Sequence, residues 1–280
     1  MAFFTFSLLN DSFIYLSTRI EPKQKYYSKD IALRKELNNR NKTQPFALVN
    51  FENRKHITKI GKKLLICLPP NFGLGDAIEY GIAIKSLIQS KKFDKIGIAF
   101  CSNHSFIFKD FFCFLEVYPL FISKDQINIY DTVFHITLEI NSLKFQKYKR
   151  SNIALEICKY FEVPLLDFKA QNYIMTKSHK KIISIFPVST STIRSLPFNV
   201  IEKIIENFGN EYQIKVVVDD SEYSRHLLKK NKNSNVIFVQ PKSIESLILE
   251  ISRLNFGIFI DSGPLHIAKS YNKNGILIET

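Results

Sequence analysis

The sequence predicts an α/β protein built from two successive units, each a mainly parallel sheet with crossover helices. Three observations carry that prediction. Short continuous apolar runs such as "LLICLPP" (64–70), "KIGIAF" (95–100) and "KIISIFP" (181–187) have the texture of strands buried on both faces. Segments with apolar residues at helical spacing alternate with these runs, as strand and crossover helix must in a parallel sheet. The alternation weakens once, near 165–180, and then resumes, and 280 residues exceed a usual domain of about 100–200 residues.

Residues 1–62 lack a sustained period and read as an N-terminal extension with one helix near 28–39. Its opening, "MAFFTFSLLNDSFIYLSTRI", has no basic start and is broken by Asn10-Asp11. It therefore falls short of the roughly 20 uninterrupted apolar residues of a membrane span, and an interfacial helix stays open as an alternative.

The first unit, 63–170, opens with the strand at 64–70. "NFGLGD" breaks it, and "DAIEYGIAIKSLIQS" (76–90) reads as a helix beginning at Asp76. The strand at 95–100 follows, then a strand in "DTVFHIT" (131–137), then the helix "SNIALEICKYFEV" (151–163), which must stop before Pro164. Residues 165–180 read as an edge strand and a polar crossing that link the units.

The second unit, 171–280, begins its alternation at 181–187. After the polar loop "VSTSTIRSLP", Ile201, Ile204, Ile205 and Phe208 fall at helical spacing. "QIKVVVDD" (213–220), "NVIFVQ" (235–240), "FGIFI" (256–260) and "GILIE" (275–279) read as strands. "SEYSRHLLKK", the amphipathic segment Ile244–Leu254 and the segment after residue 262 read as the helices between them.

The formal charge of +13, from 39 basic and 26 acidic side chains, favours anionic partners without choosing among nucleic acid, phosphorylated glycolipid and membrane surface. No zinc-finger, RNA-recognition or helix-turn-helix pattern accompanies the charge, so nucleic acid is not the expected partner. Cys67, Cys101, Cys113 and Cys158 form no CxxC pair and mostly sit among apolar residues, where a reduced cysteine packs as a small hydrophobe, which fits a reducing cytoplasm.

The most chemically loaded stretch is "DSGPLH" (261–266), between a buried strand and a helix. Ligands of open α/β sheets bind at the carboxyl ends of strands. At a helix start the first amides lack partners and the dipole favours an anion, so Ser262, Gly263, Pro264 and Leu265 define a diphosphate seat. Pro264 costs little there because the first helical position needs no amide hydrogen. Gly263 would let a ligand approach the backbone. The competing reading is structural: Asp261 or Ser262 caps the helix, Gly-Pro punctuates it, and His266 packs on the sheet.

"FIDSGPLHIAKSYNKNGILIE" resembles the donor-site segment of the family nine glycosyltransferases, the lipopolysaccharide heptosyltransferases, whose pattern is an acid, Ser or Thr, Gly, Pro, a large apolar residue and His. "LLICLPPNFGLGDAIEYGIAIKSL" (64–87) is similar to that family's first strand, Gly-Asp turn and first helix. "ISIFPVSTSTIRSLPFNVIEKI" (183–204) resembles the start of its second domain. The likeness spans about 63–280 and implies a GT-B-like fold, two Rossmann-like domains facing across a cleft, with 63–170 on the acceptor side and 171–280 binding the donor.

By that resemblance Asp76 is the catalytic base of an inverting displacement, with Gly73 and Gly75 bending its loop and leaving room for the acceptor. A cap on the helix at 76–90 is the structural role open to Asp76. Asp261 and His266 become donor-sugar contacts, Gly263 through Leu265 lend amides to the diphosphate, and Arg194 stands where the family has a phosphate-pairing lysine. Leu196 replaces a customary Trp, and "VVVDDSE" (216–222) departs from a Gly-rich loop.

The implied function is metal-independent transfer of a sugar, heptose among the candidates, to a lipopolysaccharide or other surface-glycan acceptor. The donor is a nucleotide-sugar, ADP-sugar favoured, and no cofactor or metal is expected. The implied location is cytoplasmic, with peripheral contact at an anionic membrane face left open. Family chains continue past the strand matching 275–279, so the second domain is expected to be incomplete. A binding relative without turnover and a basic nucleic-acid-associated protein remain the alternatives.

Overall fold

A computed structural model of the chain describes residues 60–69, 72–100, 104–119, 126, 128–136, 152–170, 181–189, 192–230 and 235–279. The expected helix near 28–39 and residues 171–180 of the expected edge strand and polar crossing lie outside them. The described residues form two compact units. One holds those up to Gly73 together with Glu79–Leu166, and the other holds Leu74–Ile78 together with the residues from Asp167 onward.

The first unit is a four-stranded parallel sheet in the order β3-β2-β1-β4, made of β1 (Lys63–Cys67), β2 (Lys95–Phe100), β3 (Val117–Pro119) and β4 (Thr132–His135). Leu64, Leu65 and Ile66 are fully enclosed, which is why the first apolar run shows no alternation. Helix α1 runs Leu74–Gln89, two residues earlier than the expected start at Asp76. Asp76 is therefore not the cap. It stands in the first turn, where a carboxylate still meets the positive end of the helix.

Two elements of this unit escaped the sequence reading. A single wide turn, Ile107–Phe111, closes with the Phe112 amide donating to the Ile107 carbonyl at 2.9 Å and buries Ile107 and Phe108. The edge strand β3 is only three residues long. Helix α2 (Ile153–Tyr160) is capped by Asn152, whose side chain accepts from the Leu155 amide at 2.9 Å.

Among the described residues, 165–170 form no strand, and amides there find other acceptors. Leu166 donates to the Ser86 hydroxyl at 3.0 Å and Ala170 to the Ser270 carbonyl at 2.8 Å.

The second unit is a five-stranded parallel sheet in the order β7-β6-β5-β8-β9. Its strands are β5 (Ile182–Phe186), β6 (Gln213–Val217), β7 (Val236–Val239), β8 (Phe256–Phe259) and β9 (Gly275–Leu277). Helices α3 (Phe198–Phe208), α4 (Glu222–Lys230), α5 (Ile244–Ser252) and α6 (Gly263–Ser270) connect them. Ile201, Ile204 and Ile205 of α3 join Ile183, Ile185, Ile214, Val216 and Ile258 in one core. Phe208, expected on the same stripe, is exposed at the end of α3, its ring set edgewise to Tyr212. β9 is exposed along its length, the property of an edge.

Candidate functional site

In the second unit the strand order runs outward in both directions from β5 and β8, which pair in parallel with Phe186 opposite Phe259. Such a reversal point leaves a crevice at the carboxyl ends of the two strands, because their following segments depart in opposite directions. The segments that leave there are 187–197, carrying Arg194, and 260–266. The pairing of β5 with β8 thus brings two sequence-predicted regions to one end of one sheet.

The 261–266 turn has the expected helix start with a different use of its amides. Ser262 has the extended backbone of a cap residue, yet its side chain makes no capping bond. Its hydroxyl donates to the Ile260 carbonyl at 3.4 Å. Pro264 has no amide hydrogen, and the Leu265 amide donates to the Ser262 carbonyl at 3.1 Å. Of the expected seat, the Ser262 and Gly263 amides remain, and the Leu265 amide is a correction: its hydrogen closes the turn.

His266 is largely enclosed and Asp261 is exposed, with Nε2 3.9 Å from the Asp261 carboxylate, beyond hydrogen-bond reach.

The first turn of α1 packs on this turn. A methyl group at Gly75 would lie 2.9 Å from Cδ2 and 3.2 Å from Nε2 of His266, and one at Gly263 would lie 2.7 Å from Cβ of Leu74. Gly263 is therefore needed for close approach of chain to chain, whereas the neighbour of Gly75 is the edge of a ring that can turn. This corrects the expectation that the two glycines leave room for acceptor and donor: an imidazole fills the space beside Gly75, and a leucine fills that beside Gly263. No described glycine has a positive φ. Gly75 and His266, far apart in sequence, meet here, with Asp76 next to Gly75 in the chain and the Asp261 carboxylate 3.9 Å from His266. Leu74, which sequence reasoning passed over, closes the region.

Arg194 lies exposed at the end of a short turn, Thr192–Arg194. That loop is braced on both sides of it. The Leu196 amide donates to the Pro187 carbonyl at 2.9 Å, and the Ser189 amide to the Ser195 hydroxyl at 3.1 Å.

No protein-family model matches the chain, and no curated protein sequence does. Solved structures do match. One is E. coli heptosyltransferase WaaC with ADP-2-deoxy-2-fluoro heptose, at TM-score 0.56 and 11% identity over 76% of this chain and 88% of that one. Another is the glycosyl transferase family 9 protein from Veillonella parvula, at TM-score 0.56 and 13% identity over 80% and 87%. A third is the iron-containing dodecameric glycosyltransferase TibC from enterotoxigenic E. coli, at TM-score 0.56 and 11% identity over 78% and 58%. The chain has the GT-B-like fold of the family nine glycosyltransferases.

Within that fold, two departures seen in the sequence have physical explanations. Leu196, at the customary Trp position, is buried in the core of the second unit, where its carbonyl accepts from the Tyr223 hydroxyl. It is a core residue and not a pocket wall.

In place of a Gly-rich loop, Asp219 accepts from the Ser221 amide at 3.0 Å, from the Ser224 hydroxyl at 2.6 Å and from the Ser221 hydroxyl. Burial pushes this carboxyl up, but those hydrogen bonds outweigh it and hold the group below its ordinary value. The Ser224 amide donates to the Ser221 hydroxyl at 3.3 Å, so the start of α4 is capped from within.

Among the described residues, no group of three or more His, Cys, Asp or Glu side chains could hold a metal ion, and no helix is long and apolar enough to cross a membrane.

Proposed function

We propose that this protein is an inverting glycosyltransferase that moves a sugar from a nucleoside diphosphate donor to a glycan acceptor. The observation that carries the reading is the packing of His266 against Gly75, which brings the start of α6 beside the turn bearing Asp76. Displacement at an anomeric carbon needs a base for the attacking hydroxyl and positive potential for the departing diphosphate. Asp76 is the proposed base. Asp261 and His266 would contact the sugar, while the Ser262 and Gly263 amides, the positive end of α6 and Arg194 would take the diphosphate.

Charge neutralisation by these groups leaves no step that calls for a metal. ADP-heptose is the favoured donor, because WaaC was solved with an ADP-heptose analogue and is alike in fold. The acceptor we propose is a lipopolysaccharide or related surface glycan met on the cytoplasmic side, with the excess positive charge drawing the protein to an anionic membrane face.

Melting in the presence of ADP, UDP and GDP tests the donor half: ADP at 100 times its dissociation constant should add about 2.7 kcal/mol. Release of ADP from ADP-heptose with a glycolipid acceptor tests turnover. Asp76→Asn should lower the rate by on the order of 10²–10⁴ while ADP binding persists; an unchanged rate removes Asp76 as the base. A second reading, a binding protein without turnover, is favoured by the amide that Leu265 spends inside its own turn. ADP stabilisation without sugar release from any activated donor would select it.

A further inference from the structure

We propose that His104 is a positioning residue for the turn that carries Asp76; the proposal rests on the reading of Asp76 as base. His104 begins the described segment after β2, and Phe72 lies in the segment after the neighbouring β1, so the two sit at adjacent strand ends. The His104 ring packs on the Phe72 ring with centroids 4.7 Å apart and planes at 31°. Its Nε2 is 2.9 Å from the Phe72 carbonyl oxygen. A carbonyl only accepts, so Nε2 must carry the hydrogen.

The Phe72 ring is held edgewise from two further sides, by Tyr80 at 5.3 Å and Phe108 at 6.3 Å, both themselves buried. Side chain and carbonyl of Phe72 are thus both fixed. Only Gly73 separates Phe72 from Leu74, the first residue of α1, and Gly73 supplies no side-chain packing of its own. The direction in which α1 starts, and with it the carboxylate of Asp76 one turn on, is set by the clamp on Phe72. A base displaced by about 1 Å loses on the order of 10²-fold in rate, so a residue with no contact to substrate can govern the chemistry.

Three measurements on the full chain decide it. Nitrogen-15 NMR should show the His104 ring of the unmodified protein protonated at Nε2; a bare Nε2 overturns the proposal without any variant. His104→Phe keeps a ring on Phe72 and removes the donor. It should speed deuterium exchange at the amides of Ala77 to Tyr80, the first that α1 closes, and unchanged exchange there overturns the proposal. The same variant should lower kcat on the order of tenfold or more with donor KM within about twofold, and His104→Gln, which restores a donor near Nε2, should recover most of the loss. Faster exchange with kcat unchanged also overturns it. If the unmodified protein transfers no sugar, the reading of Asp76 falls, while tautomer and exchange still decide whether His104 holds the turn.

Discussion

At Gly263 the missing side chain is a packing requirement with a measurable cost. A methyl group placed there meets Cβ of Leu74 at 2.7 Å, and that atom is fixed to the helix backbone and cannot swing aside. Gly263→Ala should therefore destabilise the protein by about 1–3 kcal/mol, the usual range for overpacking. Adding Leu74→Ala clears Cγ and Cδ2 but leaves Cβ, so the double variant should be less destabilised than the two single changes summed. Urea unfolding of the four proteins measures this coupling.

Gly75→Ala differs, because the atom it meets is the edge of the His266 ring, which can rotate away, and alanine favours a helix by about 1 kcal/mol over glycine. Its stability should stay close to that of the parent. ADP affinity should fall by about tenfold if His266 is a ligand contact, a loss worth about 1.4 kcal/mol. Unchanged affinity would mean that His266 serves packing alone.

Among the elements, the turn before α4 links charge to stability. The folded state holds the Asp219 carboxyl below its ordinary value, so the carboxylate form is the one that stabilises. That contribution is complete above the unfolded value of about 3.9 and fades as pH falls through the lower folded value. Asp219→Asn should therefore be less stable than the parent at pH 7 and pH 5 by the same margin, and the gap should narrow below about pH 4. Urea midpoints at three pH values suffice, and a constant margin down to pH 3 would show that the carboxylate charge contributes nothing.

The same turn shows what sequence could and could not reveal about elements. The strands were legible because parallel strands bury both faces, as the consecutive enclosed residues Leu64, Leu65 and Ile66 show. The wide turn Ile107–Phe111 was not, since its buried residues, the adjacent Ile107 and Phe108, follow neither the helical nor the strand period. Asp76 and the 261–266 turn could be named as candidates, but the meeting of Gly75 with His266 could not, because it depends on contacts between distant segments. His104 gave no local sign, because its partner is the backbone carbonyl of Phe72, more than thirty residues earlier.

At the scale of the whole molecule, the charge of +13 is compatible with both a nucleotide ligand and a nucleic acid, and salt separates them. A polyanion binder releases condensed counterions, and one making 6–10 phosphate contacts loses about 10³–10⁵ in affinity between 50 mM and 200 mM salt. A single diphosphate in a site made of backbone amides, a helix dipole and one guanidinium carries no such counterion atmosphere. Its interactions are short compared with the screening length of about 7–14 Å at those concentrations. We therefore expect ADP affinity to fall less than about tenfold over that range. Titrations of ADP and of a mixed-sequence RNA in parallel test this. Should the RNA bind more tightly than ADP at low salt and be lost steeply as salt rises, the charge would belong to a nucleic-acid surface, and the 261–266 turn would be left as a structural helix start whose glycine and histidine serve packing.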